Sequence, residues 1–220
     1  MNSSVREGDT ASVSAMADVT PVVYIVDDDI SVREALDALI REAGWRPLTF
    51  SSAREFLAQP HVPGPSCVVL DVTLPDLNGL DLQERIAGRN TEMPIIFITG
   101  YGSVPMTVRA MKAGAVEFLT KPFDDEVLLE AVRGALQRSV NALDAAADKQ
   151  LLEHRYSTLS MRERQVMALV VSGLMNKQVG GKLGISEITV KAHRGRVMRK
   201  MNASSLAELV NIGTKLGLPR

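Results

Sequence analysis

Three aspartates, a threonine and a lysine stand where short β-rich runs end. Val22-Val23-Tyr24-Ile25-Val26 leads into Asp27 and Asp28, and Cys67-Val68-Val69-Leu70 leads into Asp71. Ile95 to Ile98 leads into Thr99, and a short strand over Glu117 to Leu119 leads on to Lys121. If these runs are strands of one parallel sheet, function gathers at their carboxyl ends, and the five side chains meet in one crevice. Carboxylates packed this closely repel one another. A hard divalent cation such as Mg²⁺ would relieve that repulsion and accept a phosphoryl oxygen. Asp71 is then a candidate nucleophile towards a phosphoryl group, with the metal and Lys121 neutralising the charge that develops on the oxygens. Taken singly, each residue has a plainer reading: Asp27-Asp28 as a turn or helix cap, Thr99-Gly100 as a turn, Lys121-Pro122 as a loop. Five of them in order at four strand ends read as a site.

The elements that would position this site alternate. After the first run, Ser31 with Glu34 forms a capping-box pattern, and Val32, Leu36, Leu39 and Ile40 follow at helical spacing. Trp45 to Phe50 reads as a strand, and Ser52 with Glu55 opens another helix. Leu80 to Ile86 and Val104 to Met111 read as helices, and Asp124 caps a helix expected to run to about Ser139. Five strands alternating with five helices predict an α/β fold, a doubly wound five-stranded parallel sheet covered on both faces. Cys67, the lone cysteine, reads as a small buried hydrophobe. A single thiol cannot form an internal disulfide, so nothing points to an oxidising compartment. Residues 1 to 20 are Ser/Ala-rich and acidic and read as a disordered tail, not a secretory signal. No apolar stretch is long enough to span a bilayer, so no membrane partner is expected and the predicted location is cytoplasmic.

The second part of the chain has a different character. Residues 157 to 220 carry 11 lysines and arginines against 3 acidic residues, whereas residues 21 to 138 carry 11 against 17. An acidic part followed by a basic part predicts two domains with different partners, the basic one a nucleic-acid candidate. Between them, residues 139 to 156 are Ala-rich with mixed charges; they could continue the preceding helix or act as a tether. Four amphipathic segments follow, Ser160 to Ser172, Asn176 to Leu183, Ser186 to Met201 and Ser205 to Leu216, with no strand signal. A short helix, Gly184 and a longer basic helix make a helix-turn-helix pattern. In the longer helix Val190 and Val197, with Met198 and Met201 nearby, face inward. Lys191, Arg194, Arg199 and Lys200 are largely on the other side, where they could meet phosphates, or could simply be a solvated face. His193 has no Cys/His cluster around it and reads as a structural or phosphate-contacting residue.

Residues 21 to 138 resemble a response-regulator receiver domain of flavodoxin-like fold. The resemblance rests on Val26-Asp27-Asp28-Asp29, on Asp71-Val72-Thr73-Leu74-Pro75-Asp76-Leu77-Asn78-Gly79, on Ile98-Thr99-Gly100 and on Phe118-Leu119-Thr120-Lys121-Pro122-Phe123. It implies Asp71 as phosphoacceptor, and Mg²⁺ (or Mn²⁺) held by Asp28, Asp71 and the carbonyl of Thr73, with Asp27 acting through water. It also implies Thr99 and Lys121 on the phosphoryl oxygens, a cis Lys121-Pro122 bond and Phe118 as the switch aromatic. Phe118 lacks the hydroxyl of the tyrosine many receivers carry. Residues 157 to 216 resemble the LuxR-type tetrahelical helix-turn-helix domain, through Leu159-Ser160-Met161-Arg162-Glu163-Arg164-Gln165-Val166, Asn176-Lys177-Gln178-Val179 and Ile185-Ser186-Glu187-Ile188-Thr189-Val190-Lys191-Ala192-His193. Together they resemble the FixJ/NarL arrangement, closest to the FixJ branch through Thr99-Gly100-Tyr101-Gly102 and Met111-Lys112-Ala113-Gly114-Ala115.

That resemblance implies a DNA-binding transcriptional regulator whose partners are a sensor histidine kinase, double-stranded promoter DNA, a second copy of the chain and, among further contacts, RNA polymerase. Thr189, Lys191, His193, Arg194 and Lys200 would face DNA, and Val108, Lys112 and Glu117 would lie on the surface that pairs after phosphorylation. Two other readings compete. One is a receiver acting only as a protein-interaction module. The other is an aspartyl-nucleophile phosphatase, which needs a carboxylate two residues after the nucleophile, where this chain has Thr73. The pattern also departs from the family at Gly180, where alanine is usual, and Gly181 follows it. Two glycines inside a helix cost about 1 kcal/mol each relative to alanine. Either close packing offsets that cost, or the domain is marginal. Ala192 and Gly195 are small where some relatives place larger contact residues.

Overall fold

The structure, a computed structural model, describes residues 19–60, 62–88 and 93–219. The expected tail over residues 1 to 20 falls almost wholly outside them. The chain divides into two compact units, residues 1–143 and 144–220.

In the first unit the short apolar runs are strands: β1 (Val22–Val26), β2 (Arg46–Phe50), β3 (Ser66–Asp71), β4 (Ile95–Thr99) and β5 (Glu117–Thr120). All pairings are parallel, and the order is β2-β1-β3-β4-β5. β1, β3 and β4 are buried along their whole length, because helices cover both faces of the sheet. Successive side chains alternate between the two faces. Tyr24, Val26, Val68, Leu70 and Phe97 enter one core with Leu82 and Ile86. Val23, Ile25, Val69, Ile96 and Ile98 enter the other with Leu36, Ile40, Leu128 and Val132. Cys67 is fully buried in that second core, where desolvation pushes its thiol far above its usual range.

The helices are α1 (Ile30–Glu42), α2 (Ala53–Ala58), α3 (Gly79–Ala87), α4 (Val104–Lys112) and α5 (Asp125–Ser157). Their starts follow local side-chain chemistry. Asn78 caps α3 and Ser52 caps α2, each accepting a backbone N–H two or three residues on. The expected capping box at Ser31 and Glu34 does not form. Asp29 is the cap instead, accepting from Ser31 N at 2.8 Å. The Asp29 carboxylate captures the helix two residues earlier than the serine could. Asp124 accepts from Glu126 N, and α5 runs on to Ser157, so residues 139 to 156 are helical. This segment has no proline or glycine to stop it. Gln83 on α3 crosses to the end of α4, donating to Ala110 O (3.3 Å) and Ala113 O (3.0 Å). Its Oε1 is buried without a partner.

The second unit packs the end of α5 with α6 (Met161–Val171), α7 (Asn176–Leu183), α8 (Glu187–Lys200) and α9 (Leu206–Lys215). Leu152, Val166, Met167, Val170, Val179, Val190, Val197, Met201 and Leu209 form its core. Ser160 and Glu163 make a reciprocal capping box at the start of α6. Gly184, with φ +66°, ends α7 in the left-handed region, which only glycine enters cheaply. The two glycines of α7 differ. A Cβ at Gly180 would lie 2.7 Å from the carbonyl oxygen of Ile185, whereas one at Gly181 would meet nothing within 4 Å. Close packing therefore accounts for Gly180 and not for Gly181.

Candidate functional site

The sheet register aligns the carboxyl ends of β1, β3, β4 and β5. Val26 pairs with Leu70, Asp71 with Ile98, and Thr99 with Thr120. The residues that follow or end these strands therefore gather at one edge. Lys121 is the centre of the cluster: its Nζ donates to Asp27 Oδ2 (2.6 Å) and to Asp71 Oδ2 (2.7 Å). The Lys121–Pro122 bond is cis. One carboxylate oxygen each from Asp27, Asp28 and Asp71 lie within 4.8 Å of one another. Asp27 and Thr99 are fully buried and Asp71 nearly so, while Asp28 is exposed.

Burial, the largest influence on Asp27, pushes its carboxyl above the usual range. The hydrogen bonds from Lys121 and from Asp29 N pull the other way. Burial works against the Lys121 ammonium, but the hydrogen bonds to Asp27 and Asp71 outweigh it and hold it charged. Thr73 is exposed, and its N–H donates to Asp71 Oδ1 at 2.8 Å, fixing the second oxygen of that carboxylate. The Thr99 hydroxyl accepts from Tyr101 N at 3.2 Å. Phe118 is half-buried, its ring 6.1 Å from that of Phe97.

Three supports were not read from the sequence. Arg33 donates to the carbonyl of Asp27 at 2.7 Å. Gly79 lies so close to the Asp71 carbonyl that a Cβ would come within 2.6 Å of it, and its N–H donates to Val72 O. Asp76 accepts the N–H groups of Ala53 and Arg54, tying the loop after β3 to the start of α2. Desolvation, the largest single influence, raises the Asp76 carboxyl, but the backbone N–H donors, Arg54 and Ala53 foremost, together outweigh it and lower it. Helix-start carboxylates are stabilised in this way. Val108 is 44 % exposed on α4, and Lys112 and Glu117 are exposed.

In the second unit, Thr189 and Lys191 are exposed on α8, although the Thr189 hydroxyl is engaged with Ser186 Oγ. His193 and Arg194 are half-buried. His193 Nδ1 has no partner, and Arg194 donates to Asn176 Oδ1. Lys200 does not simply face solvent. Its Nζ bonds the buried Glu163 carboxylate at 2.7 Å and Thr158 O at 3.0 Å, which gives it a structural job between α8 and the start of α6. The bond from Lys200, and then that from Ser160 N, hold the Glu163 carboxyl below its usual 4.5. Because the folded value is depressed, this stabilisation is complete above about pH 4.5. It fades as the pH falls through the folded value. Glu163→Gln should lower stability by about 1–2 kcal/mol at pH 7, below the range for fully buried pairs because Lys200 can turn to water. Urea melts should show the gap between variant and wild type closing in acid; a gap that stays constant below pH 4.5 would show that the charge is not its source.

Residues 23–133 match the response regulator receiver domain family, and residues 157–212 match the luxR family of bacterial regulatory proteins. The chain belongs to the response regulators. This response regulator is 50 % identical to Nodulation protein W of Bradyrhizobium diazoefficiens over 202 residues, covering 92 % of this chain and 89 % of that protein. It is 40 % identical to Transcriptional regulatory protein FixJ of the same species over 198 residues, covering 89 % and 96 %. The solved response regulator StyR is 47 % identical with a TM-score of 0.77, over 90 % of this chain and all of that one. These likenesses make the response regulator one of the FixJ/NarL type, a transcription factor and not an enzyme. The phosphatase reading falls with them. The parallel sheet and the helical second unit are the receiver and LuxR-type folds expected. Among the described residues, no helix is long and apolar enough to cross a membrane.

Proposed function

We propose that a sensor histidine kinase phosphorylates Asp71, and that the modified chain pairs and binds promoter DNA through α8. The observation that carries this reading is Lys121, held between Asp27 and Asp71, with the Thr73 N–H on the other Asp71 oxygen. That arrangement leaves a carboxylate oriented by two donors beside a fixed positive charge. An Asp71 oxygen attacks phosphorus, the bond from phosphorus to the donor nitrogen breaks, and its electron pair leaves with the imidazole. Lys121 and the Thr99 hydroxyl are placed to hold phosphoryl oxygens. The three-carboxylate cluster of hard oxygen donors suits Mg²⁺ or Mn²⁺. Asp27, Asp28, Asp71 and the carbonyl of Thr73 would hold the ion, and when bound it would neutralise charge on the phosphoryl group.

Pairing uses the α4–β5 surface, with Val108, Lys112 and Glu117. Lys112 and Glu117 have opposite charges, which a two-fold axis can match across the interface. Exposed pairs contribute only about 0–1 kcal/mol, so the apolar contact at Val108 should dominate. Pairing brings two copies of α8 to two half-sites and raises affinity through effective concentration. Val108→Asp should abolish phosphorylation-dependent dimerisation in sedimentation velocity and weaken binding to a two-half-site duplex, while Asp71 still accepts phosphate. A variant that dimerises as wild type does would place the interface elsewhere.

A further inference from the structure

The outward line of α8 is unlike its flanks. Ile188 is 83 % exposed at the start of the helix, a large aliphatic side chain left in solvent. Ala192, Gly195 and Arg199 follow it at spacings of four, three and four, on the side opposite the buried Val190 and Val197. Lys191 and Arg196 flank this line and are exposed, and among the described residues neither is in an ion pair. The charged flanks fit the two phosphate backbones of a groove, and the small Ala192 and Gly195 let the helix lie close to its floor. Along the leading two turns of that line no side chain can donate or accept a hydrogen bond.

We infer that Ile188 is a specificity-determining residue that packs on a thymine methyl group in the major groove of each half-site. Of the four bases only thymine presents an apolar group there; the others present hydrogen-bonding atoms. An aliphatic side chain set against such an edge strips it of water and gives nothing back, which is costly. Ile188 therefore selects thymine both by attraction to the methyl and by exclusion of the alternatives. The inference rests on DNA binding through α8.

The test uses the full chain after acetyl phosphate treatment. Duplexes are enriched from a random-sequence pool, and the best is resynthesised with deoxyuridine replacing thymine at one position at a time, which removes only the methyl. Fluorescence anisotropy of wild type should show one sensitive position in each half-site, losing about fourfold on replacement, as for one methylene group's burial of about 0.8 kcal/mol. Ile188→Ala should bind the parent duplex more weakly and lose that sensitivity; so exposed a residue is replaced without disturbing the fold. Equal sensitivity in wild type and variant, or none in wild type, overturns the inference while leaving DNA binding intact. A pool from which nothing is enriched overturns both.

Discussion

Asp71→Asn is expected to abolish phosphoryl acceptance outright while leaving the protein folded. The amide is close to isosteric with the carboxylate, and its oxygen can still accept the Thr73 N–H. Lys121 loses one of its two carboxylate partners but keeps Asp27, so the cluster does not collapse. The amide is not a nucleophile at neutral pH, so the chemistry stops. Removing one of the crowded carboxylates also relieves repulsion, so stability should change by no more than about 1–2 kcal/mol. Intact-mass measurement after acetyl phosphate and Mg²⁺ should show an adduct of roughly 80 Da, one phosphoryl group, on wild type and none on the variant. An adduct that persists on the variant would place the acceptor on another residue.

The adjacent glycines of α7 should respond in opposite directions to one substitution. Gly180→Ala drives a methyl group into the Ile185 carbonyl, a backbone atom that cannot rotate away. That carbonyl belongs to the turn between α7 and α8, and the Gly180 carbonyl itself accepts from Ile185 N. Relieving the clash must move the turn, at a cost of about 1–3 kcal/mol. For a unit of this size each kcal/mol lowers the melting temperature by about 4–8 °C. Gly181→Ala, exposed and facing open space, should stabilise by about 0.5–1 kcal/mol through reduced freedom of the unfolded chain. Peptide-resolved hydrogen exchange on the full chain localises both effects to α6–α9. A stabilising Gly180→Ala would mean the turn yields without strain.

The receiver pocket was legible because its parts are short-range signals repeated in order. Each apolar run ends on the residue that matters, and the register of a parallel sheet does the rest. What escaped the sequence depends on partners that only the folded backbone brings together. Asp76 lies in the loop that follows Asp71, yet its work is done on N–H groups 22 and 23 residues earlier. Arg33 has an ordinary helix position in the sequence, and the fold brings the Asp27 carbonyl within its reach. The sequence puts Lys200 on the outward side of its helix, and its bond to Glu163, 37 residues away, does not show there. Ser31 and Glu34 offer a capping-box pattern, but the Asp29 carboxylate takes the cap instead. The glycine pair could be costed but not explained, since the oxygen that fills the space beside Gly180 comes from the following turn.

Gln83 turns α4 into a lever. Its amide holds the carbonyls of Ala110 and Ala113, so the helix has a fulcrum at its carboxyl end. At the other end Ser103 provides no side-chain cap, and Val104 is 78 % exposed. Over the roughly 9 Å of helix between Ala110 and Val104, a tilt of about 10° about this fulcrum carries Val104 by roughly 1.5 Å. Val108, nearer the pivot, travels about a third as far, and Lys112, between the two held carbonyls, moves little. Any tilt of α4 about this fulcrum is thus a graded displacement along the helix. Its amplitude is greatest at Ser103 and Val104, the end of α4 nearer to Thr99 in sequence, and smallest where Gln83 holds the helix.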